Sequence, residues 1–366
     1  MSKLGILKRL NIAGYRSIRN AEFELKPLNV LIGPNGAGKS NFIGLFRFMH
    51  KLAQKDLQLH VAEQGGADGI LYFGRKVSDK IELRVDFEVN AYSCTLVPTD
   101  DDRFVFAKEF GRFFAGKIGY SGGDKLTPLS KPGAEESGLP AQPNSKSIPG
   151  HLLSYLLDCK VYHFHDTSRL AKVKQTGDIN DNLRLQDDAG NLASFLLSIR
   201  NTSAYGDIVQ TVQRVAPFFH DFILEPEKNN ADKIRLRWKH RGTDRYFDAH
   251  TLSDGTLRFI CLITLLLQPS LPAVILLDEP ELGLHPHALQ LLAGIMRSVS
   301  TKTQIIASTQ SVTLANQFGW EDLIVVDRID NASTFRRLKE DEVKDWLESY
   351  SVGDLWAKNL IGGTPE

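Results

Sequence analysis

The chain has 366 residues, of which 42% are apolar and 24% are charged, and its 44 lysines and arginines balance 44 aspartates and glutamates. This composition excludes a chain that is disordered over most of its length, and the formal charge of zero excludes nucleic-acid binding by the surface as a whole. Cys94, Cys159 and Cys261 are far apart in apolar sequence, which argues against a disulfide scaffold or a zinc site. Neither a signal peptide nor an apolar run long enough to cross a bilayer is found, so a cytoplasmic protein is predicted.

The first lobe is predicted over residues 1–110, and it contains a phosphate-binding loop. An apolar strand at residues 28–32 leads into Gly-Pro-Asn-Gly-Ala-Gly-Lys-Ser at residues 33–40, and apolar residues at helical spacing follow. Because the glycines let backbone N–H groups approach phosphate oxygens, Lys39 is predicted to reach the terminal phosphates and the Ser40 hydroxyl to ligate Mg²⁺. The predicted nucleotide contacts of this loop are Asn35, Gly36, Gly38, Lys39, Ser40 and Asn41.

The middle of the chain joins this lobe to a second one. Residues 120–150 contain five prolines among glycines and serines, which predicts a flexible insertion too long for a tight connection. Apolar residues at helical spacing from Leu192 to Ile199 predict a helical arm over residues 185–230.

Between these segments, a short strand at residues 161–164 carries two histidines near its end. Side chains alternate along a strand, so His163 and His165 share one face. With Asp166 beside them they match the ligands of a transition-metal site. The preferred interpretation is one imidazole in the core and the other near the nucleotide edge.

Residues 231–330 are predicted to form the second lobe, which begins with a hairpin. Apolar and basic residues alternate over residues 234–241, and a Gly-Thr-Asp turn follows. The candidate DNA contacts on the resulting cationic face are Arg235, Arg237 and Lys239. An ordinary solvated sheet face is the preferred alternative, and a surface for a protein partner is the third.

The next motif is Leu-Ser-Asp-Gly-Thr at residues 252–256, at the start of a strongly apolar helix. A serine followed by Asp-Gly at such a position predicts a second phosphate-binding helix N-terminus. The candidate contacts are Ser253, Asp254 and Gly255. One γ-phosphate has no need of two such cradles from one subunit.

The apolar strand at residues 273–277 ends in two adjacent carboxylates, Asp278 and Glu279. Asp278 is predicted to hold Mg²⁺ through a water, and Glu279 to polarise the water that attacks the γ-phosphate. The alternative is a pair of solvated acids after a core strand.

A strand at residues 304–307 leads to Gln310, and the family resemblance described below implies that this side chain contacts the γ-phosphate. Glutamine donates a hydrogen bond but cannot take up a proton, so slow or gated hydrolysis is predicted. The remainder of the chain, residues 331–366, is predicted to form a C-terminal helix and tail. An amphipathic helix is predicted there from the spacing of Val343, Trp346, Leu347 and Tyr350.

Taken in order, residues 33–41, 252–256, 278–286 and 308–311 resemble the nucleotide motifs of ABC-type ATPases. Their wording is that of the RecF, OLD and SMC branch, and nearly the whole chain is similar to stand-alone bacterial ATPases of the AAA15 and AAA_21 type. Below, residues 33–40 are called the Walker A loop, residues 252–256 the signature motif, and residues 278–279 the Walker B acids.

The resemblance implies a single α/β domain over residues 1–366, a P-loop NTPase with ABC-ATPase-like two-lobe architecture: a mixed-sheet N-terminal lobe, a helical arm and a parallel-strand core. It implies ATP and Mg²⁺ as ligands and a head-to-tail homodimer with two ATP molecules between the subunits. Arg16 is an implied nucleotide contact. His285 lies in the segment that crosses the dimer seam, with capping of the next helix as the alternative. The implied catalytic residues are Glu279, Lys39 and Gln310, the last at a position where many relatives have histidine.

For function, the resemblance implies an ATP-hydrolysing dimeric switch in DNA maintenance or anti-phage defence that works with a separate effector or nuclease. The alternative is a slow or non-catalytic scaffold or sensor that holds and releases a partner toxin or nuclease. A transporter motor is disfavoured by the wording of the motifs. The sequence shows neither a sustained heptad pattern nor a carboxylate cluster of the two-metal nuclease kind, so a separate polypeptide is expected to supply any DNA cleavage.

Overall fold

The structure is a computed structural model that describes residues 6–114, 123–141 and 147–363. Its strands are β1 (Arg9–Tyr15), β2 (Ile18–Glu24), β3 (Leu28–Ile32), β4 (Ile81–Asp86), β5 (Asn90–Pro98), β6 (Phe104–Phe113), β7 (Lys125–Pro128), β8 (Cys159–Tyr162), β9 (Gly177–Asp178), β10 (Phe219–Ile223), β11 (Pro226–Glu227), β12 (Asn230–Ile234), β13 (Arg237–His240), β14 (Tyr246–Asp248), β15 (Val274–Asp278), β16 (Gln304–Thr309), β17 (Leu323–Ile329) and β18 (Ala332–Arg337). Its helices are α1 (Lys39–Gln54), α2 (Leu57–Glu63), α3 (Gly66–Ile70), α4 (Ile148–Leu157), α5 (Leu192–Ile199), α6 (Ser203–Val215), α7 (Asp254–Leu267), α8 (Pro286–Ser300), α9 (Val312–Ala315), α10 (Glu340–Val343) and α11 (Val352–Ala357).

A six-stranded sheet with the order β18-β17-β3-β16-β15-β8 organises the molecule. Its strands are parallel except β18, which pairs antiparallel with β17 at one edge. The inner strands are apolar along their length because both faces of this sheet are covered. Successive side chains point to opposite faces, so Val30 and Ile32 belong to one apolar core and Leu31 belongs to the other.

Each face of the parallel sheet has its own layer. One core combines the sheet with α5, α6, α7 and α8, and the other combines it with α1 and an antiparallel sheet of order β2-β1-β4-β5-β6-β7. Helix α1 packs in the second core because Phe42, Phe46 and Met49 recur at helical spacing and are fully buried. The predicted α/β fold with a parallel-strand core is confirmed.

Strand β3 shows that the two predicted lobes share a sheet. It precedes the Walker A loop in the first lobe, yet it lies between β16 and β17, which come from the end of the chain. The N-terminal sheet itself is wholly antiparallel and excludes β3. As a result, the carboxyl ends of β3, β15 and β16 lie side by side, which brings distant motifs to one edge of the sheet.

The described part of the predicted flexible insertion, 120–150, has regular structure and specific contacts. Strand β7 pairs with β6, and the Glu136 carboxylate accepts hydrogen bonds from the backbone N–H groups of Leu57 and Gln58, both at 3.0 Å. Leu139 is fully buried. Prolines and glycines in this segment therefore mark turns between ordered elements, and residues 120–122 and 142–146 lie outside the described residues.

The prediction of one amphipathic C-terminal helix from the spacing of apolar residues is wrong. Helix α10 ends at Val343, and Trp346, Leu347 and Tyr350 are 45%, 36% and 38% exposed. A new helix, α11, begins after Ser351, whose backbone N–H and hydroxyl both bond the Asp354 carboxylate. A local cap thus starts a separate helix, and Val352, Leu355 and Trp356 supply the buried face.

The hairpin predicted in the second lobe is confirmed between β13 and β14. The alternation seen over residues 234–241 nevertheless spans two strands. Ile234 ends β12, which pairs with β9 and β11, whereas Arg237 begins β13 in a different sheet. Arg235 lies at the break between these strands.

Candidate functional site

The Walker A loop connects β3 to α1 through a conformation that requires glycine. Gly38 has a φ of 117°, and a Cβ built on it would lie 2.1 Å from the Ser333 hydroxyl oxygen. Ser333 comes from β18, is buried, and donates a hydrogen bond to the Ala37 carbonyl at 2.5 Å. A larger residue at position 38 would clash with Ser333 and break its hydrogen bond to Ala37. The loop is therefore held from behind by β18, a support that the sequence did not reveal.

The Lys39 ammonium donates to the carbonyls of Gly33 and Pro34, at 2.6 and 2.9 Å. Burial lowers its pKa, and the nearby carboxylates of Glu279, Asp278 and Glu281 act in the opposite direction. The cation thus faces the acids at the end of β15. The exposed residues of the loop and helix start are Asn35, Gly36 and Ser40.

Asn41 and Arg16 connect this loop to the N-terminal hairpin. Asn41 donates to the Ser17 hydroxyl oxygen at 2.7 Å, and the hydroxyl oxygens of Ser17 and Ser333 are hydrogen-bonded to each other at 2.7 Å. Arg16 stands next to Ser17 in the β1–β2 turn with a φ of 49°, and its guanidinium donates to the Gln64 side-chain carbonyl. The structure therefore places the turn that carries Arg16 against the first turn of α1.

The Walker B acids follow β15 in two different environments. Asp278 accepts a hydrogen bond from the Ser308 hydroxyl of β16. Glu279 has a φ of 46°, a left-handed conformation that is rare outside glycine, and its N–H donates to the Ser308 carbonyl at 3.0 Å. Such strain is typical of functional positions, and here it turns the Glu279 carboxylate toward the switch segment after β16.

Gln310 lies opposite Glu279, and its side-chain amide donates to the Glu279 carboxylate. The three residues expected to be catalytic therefore surround one edge of the sheet, with Lys39 on α1, Glu279 after β15 and Gln310 after β16. This arrangement suits a nucleotide. The Lys39 ammonium is a cation that phosphates could contact, and Ser40 and Asp278 carry the oxygen ligands that Mg²⁺ prefers.

Glu281 is a further site residue. It lies in the segment 278–286, but its sequence pattern predicts no role for it. Its Oε1 accepts from the Thr309 hydroxyl at 2.6 Å and from the Gln310 backbone N–H at 3.0 Å. Burial raises the pKa of this carboxyl. Glu281 thereby fixes the backbone from which Gln310 extends to Glu279.

The signature motif begins α7, with Ser253 as its N-cap. The Ser253 hydroxyl oxygen accepts from the Thr256 backbone N–H at 3.2 Å. Both Ser253 and Asp254 are exposed. A Cβ on Gly255 would lie 2.3 Å from the Gly283 carbonyl oxygen, so only glycine allows the helix to approach the segment after the Walker B acids.

Arg258 joins the signature helix to two other segments. Its guanidinium donates to the carbonyls of Phe164, His165 and Leu282 at 3.2, 2.8 and 3.0 Å. The His165 imidazole Nε2 in turn lies 2.7 Å from the Asp278 carbonyl oxygen. A continuous set of polar contacts therefore runs from α7 to the Walker B acids of the same chain.

The two histidines of β8 and its end do not gather further ligands. Their rings are 5.4 Å apart, and the Nε2 of His163 has no hydrogen-bond partner. Within residues 6–114, 123–141 and 147–363, no group of three or more His, Cys, Asp or Glu side chains is arranged to hold a metal ion. The contact of His165 with Asp278 agrees with the preferred interpretation that one of the two imidazoles lies near the nucleotide edge.

His285 is the N-cap of α8. Its Nδ1 accepts from the His287 backbone N–H at 3.3 Å, and its side chain is exposed. The capping role is thus present in the single chain, and contact with a partner subunit stays a prediction.

The three basic residues expected on the hairpin are already paired with carboxylates. Arg235 lies 3.3 Å from Asp248, Arg237 lies 2.5 Å from Glu227, and Lys239 lies 2.9 Å from Asp244. These ion pairs neutralise the cationic face that the sequence pattern suggested. The hairpin therefore gives no support for DNA binding.

A Walker A loop on a parallel sheet, paired acids on the adjacent strand, and a separate signature helix define an ABC-type P-loop ATPase fold. The profile of one family, described as "AAA domain, putative AbiEii toxin, Type IV TA system", matches residues 28–316. Because this match spans most of the chain, the protein belongs to that family, AAA_21.

Solved structures with the same fold include heads of SMC proteins. An SMC head bound to the C-winged helix domain of ScpA superposes with a TM-score of 0.61 at 13% identity, covering 93% of this chain and 99% of that one. The SMC head of Pyrococcus furiosus, solved with an extended coiled coil and bound to the C-terminal domain of ScpA, gives 0.56 at 12% identity, covering 94% and 98%. No curated protein matches the chain in sequence. Over the described residues, no helix combines the length and apolarity needed to cross a membrane.

Proposed function

We propose that this protein is an ATP-hydrolysing switch in which two copies close head to tail over two ATP molecules. The observation that carries the proposal is the set of contacts made by the side chains at the start of α7. The Ser253 side chain is hydrogen-bonded to Thr256, and the Asp254 carboxylate pairs with Lys174. Among the described residues, neither side chain contacts the Walker A loop. An exposed helix N-terminus whose side chains contact other parts of the chain suits the nucleotide of a second subunit.

Each residue of the Walker A and Walker B segments has a distinct task in this proposal. Lys39 exchanges the carbonyls of Gly33 and Pro34 for phosphate oxygens, which are better partners for a buried ammonium. Ser40 and Asp278 would hold Mg²⁺, which would neutralise phosphate charge. Glu279 orients and polarises the attacking water.

Gln310 is proposed to report the presence of the γ-phosphate. In the structure its amide is engaged with Glu279. A triphosphate would compete for that amide, release the carboxylate and allow it to contact water. Because glutamine accepts no proton at neutral pH, turnover is expected to be slow and open to control by a partner.

The output of the switch is proposed to be the capture and release of an effector. Genome maintenance or anti-phage defence is the context suggested by the RecF, OLD and SMC resemblance. The description of the family, which names a toxin and a toxin–antitoxin system, favours the alternative of a slow scaffold or sensor for a toxin or nuclease. DNA contact through the hairpin is not part of the proposal, because its cations are paired.

Sedimentation of two variants with and without ATP tests the dimer. Lys39→Ala should abolish ATP binding, whereas Glu279→Gln should bind ATP and accumulate as a closed dimer. Lys51→Ala, on the same helix but in an exposed pair with Asp56, serves as a control and should behave like the wild type. A Glu279→Gln protein that stays monomeric at saturating ATP would falsify the proposal.

A further inference from the structure

The signature motif places a carboxylate where phosphate is expected to bind. Asp254 is the first residue of α7, directly after Ser253, and its side chain is 62% exposed. An acid in the first turn stabilises its own helix by interacting with the helix dipole. The same negative charge repels a triphosphate that approaches the same backbone N–H groups.

A buried lysine compensates for this charge. The Lys174 ammonium lies 3.5 Å from the Asp254 carboxylate, and the Lys174 side chain is only 7% exposed. It also donates a hydrogen bond to the Thr167 carbonyl. Since a buried ammonium needs fixed partners, this cation is held beside the motif instead of moving freely in solvent.

The neighbouring lysine shows that this placement is specific. Lys172 lies in the same short helical turn, but its side chain is 72% exposed and pairs with Asp188 at 2.8 Å. Of these two cations, only Lys174 reaches the signature motif. The pair offers a matched comparison between a buried and an exposed lysine two positions apart.

We propose that Lys174 is a positioning residue that neutralises Asp254, so that the signature helix accepts the triphosphate bound by the partner subunit. The inference rests on the proposed ATP-dependent dimer and specifies how one of its surfaces becomes compatible with an anion. Lys174 acts through Asp254. Its removal should therefore weaken dimerisation without weakening the binding of ATP to the Walker A loop of a monomer.

The experiment uses the full chain carrying Glu279→Gln, which slows hydrolysis. The ATP concentration at half-maximal dimer formation is measured by sedimentation velocity for Lys174→Met, Asp254→Asn, the double variant and Lys172→Met. Binding of a fluorescent ATP analogue at protein concentrations that keep the chain monomeric is measured in parallel. Lys174→Met should raise the half-maximal ATP concentration roughly tenfold, with unchanged analogue binding. Lys172→Met should leave both values unchanged.

Asp254→Asn decides between neutralisation and packing. Without the carboxylate, the lysine has no charge to compensate, so the double variant should return close to the value of Asp254→Asn alone. A double variant as impaired as Lys174→Met overturns the inference, because Lys174 would then act by packing. An unchanged midpoint in Lys174→Met overturns it as well.

Two further measurements keep the inference testable if Lys174→Met folds poorly. Lys174→Arg retains the cation and should dimerise at an ATP concentration near that of the reference protein, and Asp254→Asn alone should dimerise at an equal or lower one. A higher ATP requirement in Asp254→Asn would contradict the repulsion on which the inference depends. If the Glu279→Gln reference itself does not dimerise, the proposed function fails first, which distinguishes the two failures.

Discussion

The side-chain amide of Gln310 donates a hydrogen bond to the carboxylate of Glu279, so the candidate catalytic base and the switch residue are in direct contact. Glu281 positions Gln310, since its carboxylate accepts hydrogen bonds from the Thr309 hydroxyl and the Gln310 backbone N–H. The switch segment is thereby tied to the Walker B segment at two points. Changing the chemistry of position 310 should change hydrolysis without disturbing the fold.

Gln310→His should hydrolyse ATP severalfold faster than the wild type. An imidazole near the γ-phosphate can carry a proton and a positive charge, which glutamine cannot. Steady-state phosphate release at saturating ATP measures the effect. Gln317→His is the control, because the half-buried Gln317 side chain lies in the same segment and donates to the Thr313 carbonyl. Equal rates in the two variants would show that position 310 does not limit turnover.

Gly255→Ala should block ATP-dependent dimerisation. The added Cβ would meet the Gly283 carbonyl oxygen at 2.3 Å, so the start of α7 must shift away from the segment after the Walker B acids. Gly206→Ala is the matched control, because a Cβ at that position on α6 meets nothing within 4 Å. It should raise the free energy of unfolding by about 0.5–1 kcal/mol, as alanine usually does in a helix. Dimer formation is measured by sedimentation with ATP. If Gly255→Ala dimerises normally, the close approach of Gly255 to Gly283 is not needed for the dimer.

Glu281→Gln should change how stability depends on pH. Burial raises the pKa of the Glu281 carboxyl above its ordinary value of 4.5, so its contribution to stability is complete below that value and is lost as the pH rises through the raised pKa. The glutamine variant does not titrate. Relative to the wild type, the variant should therefore be more stable at pH 8 than at pH 5. Urea titrations at both pH values check this difference, with Glu348→Gln, a change of the same kind at an exposed position, as the control.

Arg258→Lys should destabilise the protein by about 1–3 kcal/mol, because a lysine ammonium lacks the planar fork with which the guanidinium reaches three carbonyls in two segments. The carbonyls of Phe164, His165 and Leu282 would lose part of their hydrogen bonding. Chemical unfolding measures the loss. Arg297→Lys, which retains the means to reach its single carbonyl partner on Gln317, should stay within about 0.5 kcal/mol of the wild type. A similar loss in both variants would indicate a general cost of replacing arginine.

The sequence predicted the fold class and the gathering of Lys39, Glu279 and Gln310, because each follows a strongly apolar strand or loop with a local signature. It did not predict the supports supplied by Ser333, Glu281, Arg258 and Lys174. These side chains act across long sequence separations, and nothing in their local pattern sets them apart from other polar residues. The pairing of the cationic hairpin face was not predicted either, because its partners Glu227, Asp244 and Asp248 are close in sequence but are not part of the alternating pattern.

The guanidinium of Arg258 also sets a limit on protein engineering. It satisfies backbone carbonyls in two loops from a third element, so none of the three is a self-sufficient module. A chimera that imports only one of them leaves either an orphaned cation or orphaned carbonyls. The smallest exchangeable unit is therefore residues 163–165, 252–258 and 279–284 together.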